Sequence, residues 1–341
     1  VEVSKILFLN MQKKILFVYT NFSTFVRTDF EILSEEHQVT KYQYKPVKGL
    51  GKNAMEFIRQ FFFLLFNIWR FDAVFIWFAD YHSFLPVLFS RITGRKSFVV
   101  IGGYDVAKIP EWKYGVFTNR LRGFCAAFSM RTCSLNLAVS RYVERKTRRI
   151  APKNKIKLIY NCVNLQDTMQ ENIEKENLVI TVGLIDSERS FYLKGIDSFI
   201  ETAKLLPEIQ FMIIGMGHEI QKALLTMKPD NLEIEGLVNH EDLVSYYKKA
   251  KVYCQLSRSE SFGVAVVEAM SFGCIPVVTN VGGLPELIGK SGKIVKRNAE
   301  DISFQTSEII NREPKSFDQK RFQNPSFSFE KRKSEIRHLF S

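Results

Sequence analysis

The sequence predicts an α/β protein built from two Rossmann-like halves, and three observations support this fold class. At 341 residues the chain is long enough for two domains with complete hydrophobic cores. Short apolar strands alternate with helical segments along its length, a pattern typical of parallel, doubly wound sheets. A polar stretch at residues 164–177 divides this alternation into two series and resembles a linker. A cleft between the two halves completes the predicted architecture.

The first half of the chain supplies the first series. A mostly apolar helix is predicted at residues 56–70, and Ser140 is positioned to cap a basic helix at 141–150. We expect a first domain at residues 11–163. Its apolar strands are predicted at residues 14–19, 73–78, 97–101, 135–139 and 157–160.

The second half repeats the pattern. We expect a second domain at residues 177–318, followed by a C-terminal segment at 319–341 in which residues 327–341 are helical. Helices are predicted near residues 195–206, 240–250 and 284–288, with a further helix that carries Glu268. The strands of this half are predicted at residues 178–182, 210–214, 232–234, 252–256 and 275–279.

Composition narrows the class of protein. A hydrophobic content of 46% and a charged content of 25% are those of an ordinary globular protein. The five cysteines are scattered and form no Cys-x-x-Cys pair. This argues against a disulfide framework or a zinc site and predicts a reducing, cytoplasmic environment. Residues 1–10 do not begin with Met, whereas Met11 reads like a natural start. The apolar run at residues 61–68 is too short to span a bilayer.

The positive charge lies in the first half alone. Residues 1–160 carry 26 Lys and Arg against 11 Asp and Glu, whereas the remainder carries 22 against 25. Such a surface attracts phosphates of nucleic acid, of anionic lipid or of an acceptor. Nucleic acid is not favoured, because no DNA- or RNA-binding motif accompanies the charge. With the apolar helix at 56–70, the charge predicts that the first domain rests on an anionic membrane, on the inner face of the plasma membrane.

The most informative stretch is 257–286, which sets Glu260 in a loop and Glu268 on the helix that follows. Between them Ser261, Phe262 and Gly263 turn the chain into a helix start, where unpaired amides and the helix dipole favour an anion. Glu268 is flanked by apolar residues, so we expect it to be half-buried and to need partners, which the hydroxyl pair of a sugar would provide. The layout of carboxylate, phosphate cradle and carboxylate matches the order of groups in a nucleotide-sugar.

This stretch resembles the donor-site signature of the retaining glycosyltransferases of family 4, which have the GT-B fold. The match rests on the Glu-x7-Glu spacing in the setting Ser-x-x-Glu-x-Phe-Gly, Glu-Ala-Met-x-x-Gly-x-x-Pro-Val-Val and Gly-Gly-x-Pro-Glu. The resemblance implies that Glu260 contacts the transferred sugar and that Glu268 binds the nucleotide ribose. It also implies that Ser261, Phe262, Gly263 and Val264 line the donor site, and that the last helix packs back on the first domain. The alternative interpretation is an ordinary helix–strand unit of an α/β domain.

The family also supplies cations to the donor diphosphate from a Val-Gly-Arg and a Lys-Gly pair. Lys194 with Gly195 matches the second pair, but Leu184 stands where the family has Arg. Arg189, from the longer loop, is a candidate substitute, with a plain surface arginine as the alternative. Gly236 and Leu237 resemble the turn whose backbone amides meet the nucleotide base, which leaves UDP and GDP both open.

The first half departs most from the family. Many members place a His after the strand that corresponds to 97–101, whereas this chain has Ile101-Gly-Gly-Tyr-Asp-Val106. Asp105 is the preferred catalytic candidate there, because a loop after a parallel strand faces the cleft. The alternative for Asp105 is that it caps a turn. His82 is a second candidate, for which a structural role is the favoured interpretation.

The resemblance implies transfer of a sugar from a nucleotide diphosphate to a hydroxyl of a glycan or lipid-linked acceptor, with retention. Bacterial polysaccharide assembly is the family's commonest role, and by analogy we expect a role in the synthesis of lipopolysaccharide or capsule. We expect no cofactor and no metal, because the chain contains no Asp-x-Asp and helix amides with cations do the same work. The alternatives are a sugar-nucleotide epimerase, which needs no acceptor, and a non-catalytic GT-B partner protein with a degenerate site.

Overall fold

The computed structural model describes residues 12–45, 50–163, 174–224, 228–312 and 324–340. The chain separates into two units, one comprising Val1–Asn161 with Glu330–Ser341 and the other Cys162–Phe329. Each unit is built around a parallel sheet with helices between successive strands.

The first unit contains a sheet of six described strands in the order β2-β1-β3-β4-β5-β6, all parallel. Its four central strands β1, β3, β4 and β5 are almost wholly buried, as expected for a parallel sheet covered on both faces. The strands are β1 (Lys14–Tyr19), β2 (Gln38–Gln43), β3 (Ala73–Trp77), β4 (Lys96–Ile101), β5 (Leu135–Ala138) and β6 (Ile156–Leu158).

The helices of the first unit are α1 (Thr24–Ser34), α2 (Leu50–Asn67), α3 (Tyr81–Ile92), α4 (Arg120–Thr132) and α5 (Arg141–Ile150). Right-handed crossovers place α2 to α5 on one face of the sheet and α1 on the other. The predicted helix at 56–70 begins earlier, at Leu50, and gives way to a 3₁₀ turn at Ile68–Arg70. Ser140 caps α5 as predicted, because its hydroxyl accepts a hydrogen bond from the Val143 amide.

The C-terminal helix α13 (Phe329–Arg337) contributes to the first unit through a buried ion pair. The guanidinium of Arg332 bonds both carboxylate oxygens of Asp29 in α1, at 2.6 and 2.7 Å, and also donates to the carbonyl of Tyr160. Both side chains are almost fully buried, and the guanidinium lies over the ring of Trp77.

The second unit contains a sheet of six described strands in the order β12-β11-β10-β7-β8-β9, again all parallel. The strands are β7 (Glu176–Ile185), β8 (Gln210–Met216), β9 (Leu232–Glu235), β10 (Ala250–Gln255), β11 (Ile275–Thr279) and β12 (Lys293–Val295). The predicted linker at residues 164–177 ends too late, because β7 already begins at Glu176. Residues 164–173 of that stretch lie outside the described part of the chain.

The described helices of this unit are α6 (Glu188–Lys194), α7 (Ile196–Leu205), α8 (His218–Leu224), α9 (His240–Lys249), α10 (Val264–Ser271), α11 (Leu284–Ile288) and α12 (Ala299–Ile310). The strand order reverses between β7 and β10, since β8 and β9 extend the sheet on one side and β10 to β12 on the other. In doubly wound sheets ligands bind outside the carboxyl ends of the strands at such a switch point.

Candidate functional site

The loop that follows β10 brings Glu260 to the switch point of the second unit. Two backbone contacts fix this loop against α6: the Arg258 amide donates to the Leu193 carbonyl at 2.8 Å, and Gly195 lies directly against the Leu256 carbonyl. Gly195 ends α6 with φ +73°, and a Cβ there would lie 2.0 Å from that carbonyl oxygen. The close approach therefore requires glycine.

A second ion pair, between Arg258 and Asp197, holds the same loop. The Arg258 guanidinium bonds both carboxylate oxygens of Asp197, at 2.8 and 2.5 Å, and also donates to the Tyr192 carbonyl. A bidentate pair of this kind fixes orientation as well as distance. No local sequence pattern links the two residues of this pair, since they are 61 positions apart.

The structure brings two of the predicted site residues together, Lys194 and Glu260. The Lys194 Nζ lies 3.3 Å from Glu260 Oε2. The Lys194 side chain passes over Gly183, where a Cβ would lie 3.6 Å from its Cδ atom. Both side chains keep access to solvent, with 35% of Lys194 and 18% of Glu260 exposed. The pair is thus placed to meet a ligand at the ends of β7 and β10.

The Gly-Gly-Leu-Pro-Glu turn supports Glu260 from the other side. The Gly283 amide donates to the Glu260 carbonyl at 3.1 Å. Gly282 has φ +59°, and a Cβ there would lie 1.5 Å from that carbonyl oxygen. The second glycine, Gly283, faces the Ser261 carbonyl at a similarly close distance. The two glycines therefore allow the backbone of this turn to pack on the backbone that carries Glu260.

The chain turns from Glu260 into α10 as predicted. Glu260 Oε1 accepts a hydrogen bond from the Ser261 amide at 3.0 Å, and Gly263 precedes the helix with φ +99°. Phe262 is buried and packs edge-on against Phe327. Because the first amides of a helix have no partner within it, those of Val264 and Ala265 are directed at the space before the helix, a favourable place for a phosphate.

Glu268 lies on α10 and is half-buried, with 15% of its side chain exposed. Its Oε1 lies 3.0 Å from His240 Nε2, and its Oε2 accepts a hydrogen bond from the Tyr247 hydroxyl at 3.3 Å. Burial raises the pKa of Tyr247 well above its usual value, and the charge of Glu268 is one of the smaller causes that act in the same direction. The hydroxyl therefore stays a donor. Neither the His240 nor the Tyr247 side chain was predicted to take part in the site.

Gly236 and Leu237 lie between β9 and α9, in the same unit as Glu268. The Gly236 carbonyl accepts a hydrogen bond from the Gly215 amide at 3.0 Å, and Leu237 is exposed. His240 begins α9 three residues later and contacts Glu268. The turn predicted to meet a nucleotide base is thereby linked to the carboxylate predicted to bind its ribose.

Arg189 lies apart from Lys194 and Glu260. It is exposed in the first turn of α6, whereas Lys194 lies in the last turn, about 140° further around the helix at 100° per residue. The Arg189 side chain forms no hydrogen bond or ion pair with any residue in the described ranges. Leu184, at the position of the family arginine, is also exposed. The geometry matches the alternative interpretation of Arg189 as a surface arginine.

Asp105 belongs to the first unit and is fully buried. Its carboxylate accepts hydrogen bonds from the amides of Ala79, Gly102 and Gly103, at 3.0, 3.3 and 2.7 Å. Burial raises its pKa to about 6, with these amide bonds acting in the opposite direction. The carboxylate ties the end of β3 to the turn after β4, which matches the turn-capping alternative. A catalytic role for Asp105 gains no support from these contacts.

His82 lies on α3 and is also buried. Its Nε2 is 2.8 Å from the Trp77 carbonyl, and burial lowers its pKa. These contacts agree with the structural role favoured by the sequence.

Most of the second unit is similar to a known protein family. Residues 165–322 match the model of the family described as Glycosyl transferases group 1. An uncharacterised 41.2 kDa protein in the cps region of Klebsiella pneumoniae is 31% identical over 163 residues, which cover 44% of each chain. The chain spans about half the length of the curated relatives it matches.

Two solved structures share the fold over nearly the whole chain. Sucrose-phosphate synthase from Thermosynechococcus elongatus superposes with a TM-score of 0.76 at 16% identity, covering 96% of this chain and 98% of that one. HepE of Anabaena, in complex with UDP-glucose, gives a TM-score of 0.73 at 15% identity, covering 96% and 99%. The chain has the GT-B fold of these structures, and its residues 165–322 are similar to the family Glycosyl transferases group 1.

Proposed function

We propose that this protein is a retaining glycosyltransferase of family 4, of the hexosyltransferase type. It transfers a sugar from a nucleotide diphosphate to a hydroxyl of a glycan or lipid-linked acceptor. The observation that carries the proposal is the contact between Lys194 and Glu260 beside the start of α10, at the switch point of the second sheet. A cation, a carboxylate and helix amides converge there, where a sugar joined to a diphosphate needs all three.

Each group has a distinct task in this proposal. Glu260 accepts hydrogen bonds from the hydroxyls of the transferred sugar and orients it. Lys194 and the amides at the start of α10 neutralise the diphosphate. Glu268 accepts hydrogen bonds from the ribose hydroxyls with two oxygens that His240 and Tyr247 hold in place. The backbone at Gly236 and Leu237 meets the base.

The reaction that fits these groups is departure of the diphosphate on the face that the acceptor attacks. The bond between the anomeric carbon and the diphosphate oxygen breaks, a bond to the acceptor oxygen forms on the same face, and the released phosphate oxygen takes the acceptor proton. Negative charge develops on the leaving diphosphate, so a fixed cation and fixed amides lower the barrier. The proposal needs no metal.

The relative in a cps region favours a role in bacterial surface polysaccharide synthesis, on the cytoplasmic side of the membrane. A non-catalytic GT-B partner is the second candidate, because Leu184 replaces the family arginine and Asp105 is occupied by backbone amides. A sugar-nucleotide epimerase is the third, and it is recognised by product formed without acceptor.

The test is thermal unfolding with UDP, GDP and their sugar conjugates, on the wild type and on Glu268→Gln. A ligand at 100 times its Kd adds about 2.7 kcal/mol, which raises the Tm of a chain of this size by several degrees. We expect stabilisation by one nucleotide family, lost in Glu268→Gln. No shift with any nucleotide would favour the non-catalytic partner. Radiolabelled transfer from the stabilising conjugate then separates transferase from epimerase.

A further inference from the structure

Helix α2 has two apolar faces, and only one of them is used inside the first unit. Gln60, Leu64 and Ile68 repeat every four residues and are buried against the rest of the unit. The opposite face and the 3₁₀ turn after it expose seven large apolar side chains by 38–71%. These residues are Met55, Ile58, Phe61, Phe62, Leu65, Phe66 and Trp69. An exposed helix face this apolar is normally covered by protein or by lipid.

This apolar face continues across the neighbouring helices. Phe61 contacts Phe89 of α3, with ring centroids 5.6 Å apart, and Phe84 of α3 contacts Phe124 of α4 at 6.2 Å. Ile92 at the end of α3 and Leu121 and Phe124 of α4 are also more than half exposed. The seven residues of the α2 face alone expose on the order of 800 Å², since large side chains present roughly 150–250 Å² each. Single patches on monomeric proteins seldom reach that size.

Basic residues border the apolar face. Arg95 donates from Nη2 to the Trp69 carbonyl at 3.3 Å, and Arg91 precedes the exposed Ile92. Residues 50–132 hold 11 Lys and Arg against 5 Asp and Glu. Eight of the cations form no ion pair with a carboxylate in the described part of the chain: Arg70, Arg91, Arg95, Lys96, Lys108, Lys113, Arg120 and Arg131.

We propose that this face, defined by the exposed residues of α2 with Trp69, Ile92, Leu121 and Phe124, docks on the surface of an anionic lipid bilayer. The apolar side chains enter the boundary between headgroups and acyl chains, and the bordering cations contact lipid phosphates. Trp69 beside Arg70 and Arg95 has the composition of a membrane interface. No helix among the described residues is long and apolar enough to cross a bilayer, so the face lies on the surface.

Charge complementarity favours lipid over a second copy of this chain. A symmetric dimer would place the same surface on both partners, so that the unpaired cations of the two copies would approach each other. An anionic bilayer instead neutralises them while it covers the apolar area. The proposal does not rest on the proposed function, because it concerns binding to lipid and not sugar transfer.

The test is co-sedimentation of the full chain with vesicles of phosphatidylcholine alone and of equal parts phosphatidylcholine and phosphatidylglycerol. We expect binding to the anionic vesicles, weakened by salt, and little binding to the neutral ones. The double variant Phe62→Asp/Phe66→Asp should raise the lipid concentration for half-binding by about tenfold or more, because it removes apolar contact and adds negative charge. Arg70→Glu/Arg91→Glu should weaken binding to anionic vesicles in the same direction.

Matched controls lie in the second unit. Phe304 is 60% exposed, a fraction between those of Phe62 and Phe66. Arg297 is also exposed. Phe304→Asp and Arg297→Glu should leave vesicle binding unchanged, and the Tm of every variant shows whether it folds. Binding that is independent of anionic lipid, or unchanged in Phe62→Asp/Phe66→Asp, overturns the proposal. So does sedimentation equilibrium that finds a wild-type dimer which the double variant converts to monomer, with no vesicle binding in either.

Discussion

Lys194 and Glu260 are 66 residues apart in the chain, and their side chains meet at 3.3 Å. An ion pair this accessible to solvent contributes little to folding, typically 0–1 kcal/mol. Stability therefore does not explain why Gly282, Gly283 and the Arg258–Asp197 pair hold this ion pair in place. We infer that the arrangement serves a ligand that needs a cation next to a carboxylate.

Glu260→Gln tests this interpretation, because the change removes the charge and keeps the shape. We expect turnover to fall by about 100-fold or more, with a Tm within about 2 °C of the wild type. Glu201→Gln is the matched control, since Glu201 pairs with Lys204 at 2.8 Å on the exposed surface of α7. Radiolabelled sugar transfer and thermal unfolding measure the two effects. Near-normal turnover in Glu260→Gln would remove Glu260 from the mechanism.

The contacts of Asp105 predict a second outcome at this scale. Its carboxylate is occupied by three backbone amides and is shielded from solvent. We therefore expect Asp105→Asn, once folded, to keep turnover within a few-fold of the wild type. A fall of two orders of magnitude in protein that remains folded, judged by circular dichroism and Tm, would instead restore the catalytic role.

Asp105 also predicts a pH dependence of stability. Its pKa is about 6 in the folded protein and about 3.9 in an unfolded chain, so the folded state binds the proton more readily. The stabilisation of the folded state by this group is fully present below pH ~4 and is lost as the pH rises to ~6. The loss amounts to about 3 kcal/mol, at 1.36 kcal/mol per pKa unit. The free energy of unfolding of the wild type minus that of Asp105→Asn should fall over this range. A flat difference in urea titrations would contradict the shift.

At the scale of elements, the fit of one turn against another determines where Glu260 lies. Gly282→Ala places a Cβ 1.5 Å from the Glu260 carbonyl oxygen, whereas Gly289, with φ +49°, has no atom within 4 Å of an added Cβ. Both changes strain a backbone with positive φ, and the strain is greater at Gly289, whose φ of +49° and ψ of −117° lie outside the left-handed helical region. We expect only Gly282→Ala to lose donor affinity and turnover in addition. Equal kinetics in the two variants would show that the Gly282 contact does not position Glu260.

Some elements carry a clear local mark in the sequence, and others do not. Strand β1 and helix α11 occur at their predicted residues, because an apolar run and a Gly-Gly-x-Pro start mark them clearly. Strand β2 was not predicted: it is an edge strand with polar, exposed side chains. Helix α4 was not predicted either, since Gly123 and several polar residues weaken its amphipathic pattern.

The candidate site shows the same limit. Motif spacing indicated Glu260, Glu268 and Lys194, because a loop and a helix start place such residues locally. The partners of Glu268, His240 and Tyr247, come from a helix 28 and 21 residues away, and no local pattern connects them to it. Contacts of that kind depend on the order of strands in the sheet, which the sequence pattern leaves open.

At the scale of the whole molecule, the Arg332–Asp29 pair joins residues 303 positions apart. Burial raises the pKa of Asp29, and Arg332 is the charge that opposes this rise. Removing one partner leaves a buried charge uncompensated, so we expect Arg332→Leu to lower the free energy of unfolding of the first unit by about 3–5 kcal/mol. The double variant Asp29→Asn/Arg332→Leu should recover part of this loss, because no charge remains buried alone.

The matched control for this pair is Arg337→Leu, on the same helix. Arg337 pairs with Glu35 at 2.9 Å, and both side chains are 40% exposed, so its loss should cost no more than about 1 kcal/mol. Urea unfolding of the single and double variants measures the energies, and hydrogen exchange of the α13 amides reports whether the helix detaches. Equal losses for Arg332→Leu and Arg337→Leu would mean that the buried pair does not anchor the C-terminal helix, and that the apolar contacts of Ile336 and Leu339 do so instead.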